Sequence, residues 1–211
     1  MPKAESRGPT SYHHGNLREA LIDAAVQLVE EGGPENVSVR EVAKRAGVSP
    51  GAPFRHFSSK TALMTAVAEQ AMSRFRAEIT NAVDNVATDD PIERFAAVGV
   101  AYLRWAIRNS THFQIISTRS LIDWDSSESL RRDNEAVRVL MEGAMVEAQR
   151  RSMLRSNDIA DTQIAGRALV YGFARMNIDG HFPRWGVAGS EAEQTAEAIL
   201  DLFIEGIARR P

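Results

Sequence analysis

Residues 38–57 read Ser38-Val39-Arg40-Glu41-Val42-Ala43-Lys44-Arg45-Ala46-Gly47-Val48-Ser49-Pro50-Gly51-Ala52-Pro53-Phe54-Arg55-His56-Phe57. Two helix starts lie inside this stretch. Ser38 with Glu41 three residues on is a capping box, opening a short helix that closes at Gly47, where a left-handed turn is cheap only for glycine. Ser49-Pro50 reads as a cap and a first-turn proline, which predicts a second helix over 50–57. Pro53 has no N–H and keeps that helix from starting much earlier. Helices under ~12 residues are marginal alone in water, so both need a third to pack on. Leu17, Ala20, Leu21, Ala24, Ala25 and Leu28 supply it as one apolar stripe. Asn16 with Glu19 can cap its start, and Gly32-Gly33-Pro34 ends it. Three helices, the last two joined by a glycine-bearing turn, make a helix-turn-helix. Val39, Val42, Val48, Phe54 and Phe57 can fill its core, and Ala43 is small where the helices cross.

Downstream, a fourth helix starts near Ser59 and carries Met64, Val67, Ala71, Phe75, Ile79 and Val83 on one face. Asp90-Pro91-x-Glu93 opens a fifth with cap, proline and acid in place. Further helices are predicted over Ser110 to Leu121, Glu128 to Leu154 and Asp161 to Gly180, the last apolar nearly all round and therefore buried. Ser190 with Glu193 caps a final one. No segment alternates with period two over a strand's length. The expectation is an all-α chain of about nine helices, divided into residues 12–58 and 59–211.

The composition is ordinary for a globular protein: 211 residues, 44% hydrophobic and 25% charged. Cysteine is absent, which excludes disulfides and thiolate metal sites and fits a reducing compartment. The longest apolar run, Phe95 to Leu103, stops at Arg104, far short of the ~20 residues that span a bilayer. Met1 to Asn16 is polar, without the apolar core of a cleavable leader. A cytoplasmic protein without membrane partners is expected. The net charge of −3 is unevenly spread, since residues 38–60 carry Arg40, Lys44, Arg45, Arg55 and Lys60 against Glu41 alone. A local excess of cations is what phosphate attraction needs.

The string from Val39 to Ser49, followed by Gly51 to Phe57, Lys60 and Leu63, resembles the TetR family of bacterial transcriptional regulators. Tyr12-His13-His14-Gly15-Asn16-Leu17-Arg18 is similar to the entry of the first helix in many members. The resemblance is specific over about residues 12–70 and architectural beyond. It implies an N-terminal three-helix DNA-binding domain joined to a larger helical domain that dimerises and holds a ligand. It also implies repression of a near-palindromic operator, relieved by a small-molecule effector. Phe54 departs from the pattern, because members commonly carry a tyrosine there whose hydroxyl reaches phosphate.

Candidate DNA-binding residues follow from their chemistry. Ser38 and Ser49 add hydroxyl donors beside the exposed N–H groups of two helix starts. Arg40 reaches the backbone from a first turn, and Lys60 resembles the family's phosphate lysine. Gly51 and Ala52 leave room for close approach to bases and, with Pro53, offer apolar contacts to the thymine methyl. Pro50 is a further candidate beside them. Phe54, Arg55 and His56 complete the set. A basic helix face by itself is usually just solvated; the short-helix pair and the glycine turn favour DNA.

In the larger half Tyr102, Trp105, Phe113, Trp124, Met141, Met145, Phe173 and Met176 are candidate cavity walls, with Phe182 and Trp185 beyond them. Plain core is the simpler role for any one of these. Polar His112, Tyr171, Asn177 and His181 can orient a ligand. The last two apolar helices exceed what one subunit can bury. Small Ala165, Ala168 and Gly172 with bulky Ile199, Leu202 and Phe203 can form a four-helix interface in a homodimer. Two recognition elements about 34–36 Å apart would then match successive major grooves. The chain has no Gly-x-Gly-x-x-Gly, phosphate loop, His-Glu-x-x-His or Gly-x-Ser-x-Gly, so no catalytic residue, cofactor or metal site is expected. His13-His14 lacks a third ligand at useful spacing. The competing reading is a helical ligand-binding or scaffold protein that does not touch DNA.

Overall fold

The computed structural model describes residues 17–156 and 158–209. The expected cap at Asn16 and the Tyr12 to Asn16 entry lie outside them. Among the described residues the chain is all-helical, with one isolated bridge between Leu154 and Ala208. It forms two compact units, Met1–Leu63 and Met64–Pro211.

In the first unit α1 (Leu17–Gly32) buries Leu21, Ile22, Ala24, Ala25, Val26 and Val29, while Leu17, Ala20 and Leu28 of the expected stripe are half-buried. It ends at Gly33, whose φ of 78° is left-handed. Ser38 Oγ accepts from the Glu41 amide at 3.2 Å and donates to the Glu41 carboxylate at 2.8 Å, starting α2 (Val39–Arg45). Gly47 has φ 69°. Its N–H donates to the Lys44 carbonyl and that of Val48 to the Ala43 carbonyl, a Schellman closure. Val42 and Ala43 are fully buried beneath α1.

The second helix expected over 50–57 shrinks to a 3-10 turn, Pro53–Arg55, leaving eight α-helices among the described residues. Pro53 cannot donate to the turn before it, and the Ala52 amide goes to the Ser49 carbonyl rather than to a hydroxyl cap. Pro53 and Phe57 face the core while Phe54 is 58% exposed, so Phe54 does not fill the core as expected.

Helix α3 (Lys60–Asp84) starts where Ser59 Oγ accepts from the Ala62 amide. In the second unit, Asp90 accepts from the Ile92 amide at 2.7 Å and opens α4 (Pro91–Arg108). Next come α5 (Ser110–Ser117), α6 (Glu128–Arg150), capped by Ser127, α7 (Ile159–Ile178), capped by Asp158, and α8 (Ala192–Ile207). Helix α4 is central, packing on α6, α7 and α8. Helix α6 stops four residues before the expected Leu154, because Ser152 takes a left-handed φ of 58°. The Ser152 and Met153 amides then close on the Gln149 and Ala148 carbonyls. Ser190 does not cap α8; the preceding turn is closed by Glu191, whose carboxylate accepts from the Ala188 amide. Helix α7 is not buried all round. One face packs through Thr162, Gly166, Val170 and Phe173, while Ile164 is 68% exposed.

Candidate nucleic-acid interface and ligand cavity

The Gly47 turn separates two basic segments of the first unit. Arg40 and Lys44 project from α2 and Arg55 from the 3-10 turn; all three are exposed and hold no carboxylate among the described residues. Ser49, Pro50, Gly51, Phe54 and His56 share that exposure, with Ala52 half-buried. At Gly51 a Cβ would meet nothing within 4 Å, so the fold itself does not require glycine there.

Two basic residues of the block are engaged inside the unit. Arg45 forks onto the Glu31 carboxylate at 2.8 and 2.5 Å, stapling α2 to α1. The Arg45 guanidinium lowers the Glu31 pKa from its ordinary value through that hydrogen bond. Lys60 Nζ donates to the Glu35 carbonyl at 3.0 Å, which fixes the start of α3 and leaves two of its three donors. The Arg18 guanidinium lies 5.6 Å from the Phe57 ring centre.

Two cavities of the second unit adjoin each other. The larger of this pair, 360 Å³, has apolar walls including Phe95, Val98, Val137, Val170, Leu200 and Phe203. The smaller, 210 Å³, has Met72, Phe75, Phe113, Trp124 and Tyr171. Tyr102, Arg119, Asn134 and Arg167 line both, so the chambers share a polar junction. Burial pushes the Tyr102 hydroxyl up to about 12, which the nearby Arg167 partly opposes; it stays a neutral donor at ordinary pH.

Of the residues expected at a cavity, Tyr102, Phe113, Trp124, Met141 and Tyr171 do line one. Trp105 packs in the core on Phe75 with ring centres 5.0 Å apart, and Met145 lies in the core cluster with Ile92 and Phe95. Phe173 stacks on Phe182. His112, Met176, Asn177 and His181 line neither cavity, and Trp185 stands 74% exposed. Sequence reasoning missed Arg119, Asn134, Arg138, Gln163 and Arg167, which line the larger chamber.

Of the interface candidates, Ala165, Ala168 and Leu202 are exposed, Leu202 to 69%, while Gly172 and Ile199 are half-buried. Phe203 turns onto the chain's own α7, its ring 3.2 Å from where a Cβ on Gly166 would sit.

Among the described residues the chain is helical throughout, with a helix-turn unit that exposes several cations and a helical unit that contains cavities. The family of bacterial regulatory proteins of the tetR type matches residues 21–67, and the tetracyclin repressor-like C-terminal domain matches residues 95–203. The chain belongs to the TetR family. It is 31% identical over 140 residues to the HTH-type transcriptional regulator BetI of Rhizobium meliloti, covering 66% of this chain and 61% of that one. The match thus spans about three fifths of that relative's length. Among solved structures, a protein of unknown function from Rhodococcus sp. RHA1 superposes with TM-score 0.76 at 27% identity, over 95% of this chain and 100% of that one. The TetR family transcriptional regulator PfmR of Thermus thermophilus shares the fold at TM-score 0.69 and 23% identity, over 92% and 98% of the chains.

Proposed function

We propose that the chain is a cytoplasmic, homodimeric, non-enzymatic repressor that binds a near-palindromic operator and leaves it when a small molecule occupies the cavities of the second unit. The observation that carries this is that Arg40, Lys44 and Arg55 are exposed and hold no carboxylate among the described residues, on segments either side of the Schellman turn at Gly47. Arg40 and Lys60 hold phosphates, assisted by Ser38 and Ser49. Pro50, Gly51 and Ala52 lie against base edges, and Arg55 with His56 supplies polar contacts. Phe54 contributes an apolar face in place of a phosphate hydrogen bond.

Dimerisation covers the exposed stripe of α7 and α8, including Ile164, Ala168 and Leu202. Without such cover these apolar groups stay in water. Release is a population shift. The effector favours a shape with lower operator affinity, and only by its differential affinity for the two shapes. Helix α3 carries the change, because its Met72 and Phe75 line the smaller cavity and its first turn belongs to the DNA-binding unit.

Selection of random duplexes on the purified protein tests the reading. Enrichment of a two-fold site with half-sites about one helical turn apart is expected, together with a dimer in sedimentation. No enrichment, or a stable monomer at micromolar concentration, contradicts it.

A further inference from the structure

The two chambers are unlike in their walls but share one charged junction, and its sign is uniform. Three arginines line the larger cavity, Arg119, Arg138 and Arg167, and no aspartate or glutamate among the described residues lines either chamber. Arg138 is committed, because it holds the Glu135 and Glu142 carboxylates. Arg119 and Arg167 hold no carboxylate among the described residues. Instead each guanidinium lies over an aromatic ring, Arg119 at 3.9 Å from the Trp124 centre and Arg167 at 5.6 Å from the Tyr102 centre. Stacking fixes the plane of a guanidinium while leaving its edge N–H groups to bind a flat anion in a fork. On the wall of the larger chamber the Gln163 side-chain amide nitrogen is buried with no hydrogen-bond partner. It is a donor waiting for an acceptor oxygen.

We infer that the occupant is an amphiphilic organic anion, a carboxylate on an apolar chain, with its head between Arg119 and Arg167 and its chain in the larger chamber. This rests on the effector reading above. A cation would meet two unneutralised positive charges and no acid. A neutral ligand would fill the apolar walls and leave both guanidinium edges to water. A small hydrophilic anion would find the arginines, which are exposed, but would bury none of the apolar lining.

Titration of dodecanoate, dodecanol and dodecyltrimethylammonium into the full-length protein without DNA tests this, read by calorimetry and by Trp124 fluorescence. Dodecanoate is expected to bind about tenfold tighter than dodecanol, with the ammonium weakest, as charge-assisted hydrogen bonds outweigh neutral ones. Arg119→Gln and Arg167→Gln should each cost dodecanoate about five- to tenfold and leave dodecanol unchanged. Arg150→Gln, which removes a charge paired with Glu147 away from both cavities, should change neither. Both lining arginines are exposed, so the variants are expected to fold, and a thermal melt of each checks it. Equal binding of acid and alcohol, indifference to both substitutions, or no binding of dodecanoate would overturn the inference. Because no DNA is present, a protein that takes dodecanoate but binds no duplex contradicts the repressor reading alone. Operator release by a neutral compound, with dodecanoate inert, contradicts the anion alone.

Discussion

The two units use arginine differently, and the difference shows where each meets something outside itself. In the larger unit most arginines are tied to acids. Arg104 holds Glu197, Arg108 holds Glu193, and Arg150 and Arg151 share Glu147. The exceptions that matter are Arg119 and Arg167, at the junction of two cavities. In the smaller unit Arg45 is held by Glu31, while Arg40, Lys44 and Arg55 are exposed and hold no carboxylate among the described residues. Surface ion pairs contribute little stability, about 0–1 kcal/mol each, so pairing mainly decides which cations remain available to a ligand.

The comparison can be broken most easily at the head. The double substitution Arg40→Glu and Arg55→Glu should lower operator affinity by about a hundredfold or more and flatten its salt dependence, measured by fluorescence anisotropy. Its melting temperature should barely move. Retained affinity would mean that unpaired cations do not mark the DNA surface.

Asp133 provides the opposite case, a buried acid in the larger unit whose Oδ1 lies 3.5 Å from Arg76 on α3 and 3.2 Å from Arg132. Asp133→Ala should destabilise the fold by about 1–3 kcal/mol in denaturant unfolding, because the side chain's charge-assisted contacts are lost and Arg76 keeps only partial hydration. Operator affinity of the folded fraction should stay unchanged.

The two helix stops at Gly47 and Ser152 form a third test. Gly47→Ala forces a Cβ into a left-handed turn and should cost about 1 kcal/mol. Ser152→Gly relieves the same conformation and should gain about 0.5 kcal/mol. Thermal unfolding of both variants measures the pair, and equal signs would contradict the shared geometry.

The smallest effect is electrostatic. Glu147 is held down to about 2, chiefly by hydrogen bonds from Arg150 and then Arg151. A lowered folded-state value means that the unfolded chain takes up the proton first. The contribution is therefore present above the ordinary 4.5 and is lost as pH falls through that value toward 2. Acid unfolding curves should show a shallower fall for Glu147→Gln over this window.

The same pair of helix stops explains what can be read in the sequence. Gly47 and Gly180 announce their turns by residue type, and both sit at positive φ. Ser152 does the same job without announcing it, so the letters alone put the end of α6 four residues late. Caps at Ser38 and Asp90 rest on contacts within three residues, and they are legible for that reason. The second short helix is overestimated from sequence because Ser49-Pro50 carries the right letters for a start while Pro53 withholds the donor needed to continue. The cavity is legible only in part. Tyr102 and Trp124 draw attention as aromatics, but Arg119, Asn134 and Arg167 come from three separate segments and look like surface polar residues in any window. Their role depends on which acids fold beside them, and no local pattern encodes that.

The most direct test of the central claim is the affinity of the unmodified protein for its selected duplex across a salt series. The account predicts a steep linear fall of log affinity with log salt, with a slope reporting several phosphates neutralised by two heads. The Arg40→Glu and Arg55→Glu protein should lose most of that slope. A salt-independent affinity, or no duplex binding even at low salt, would contradict it.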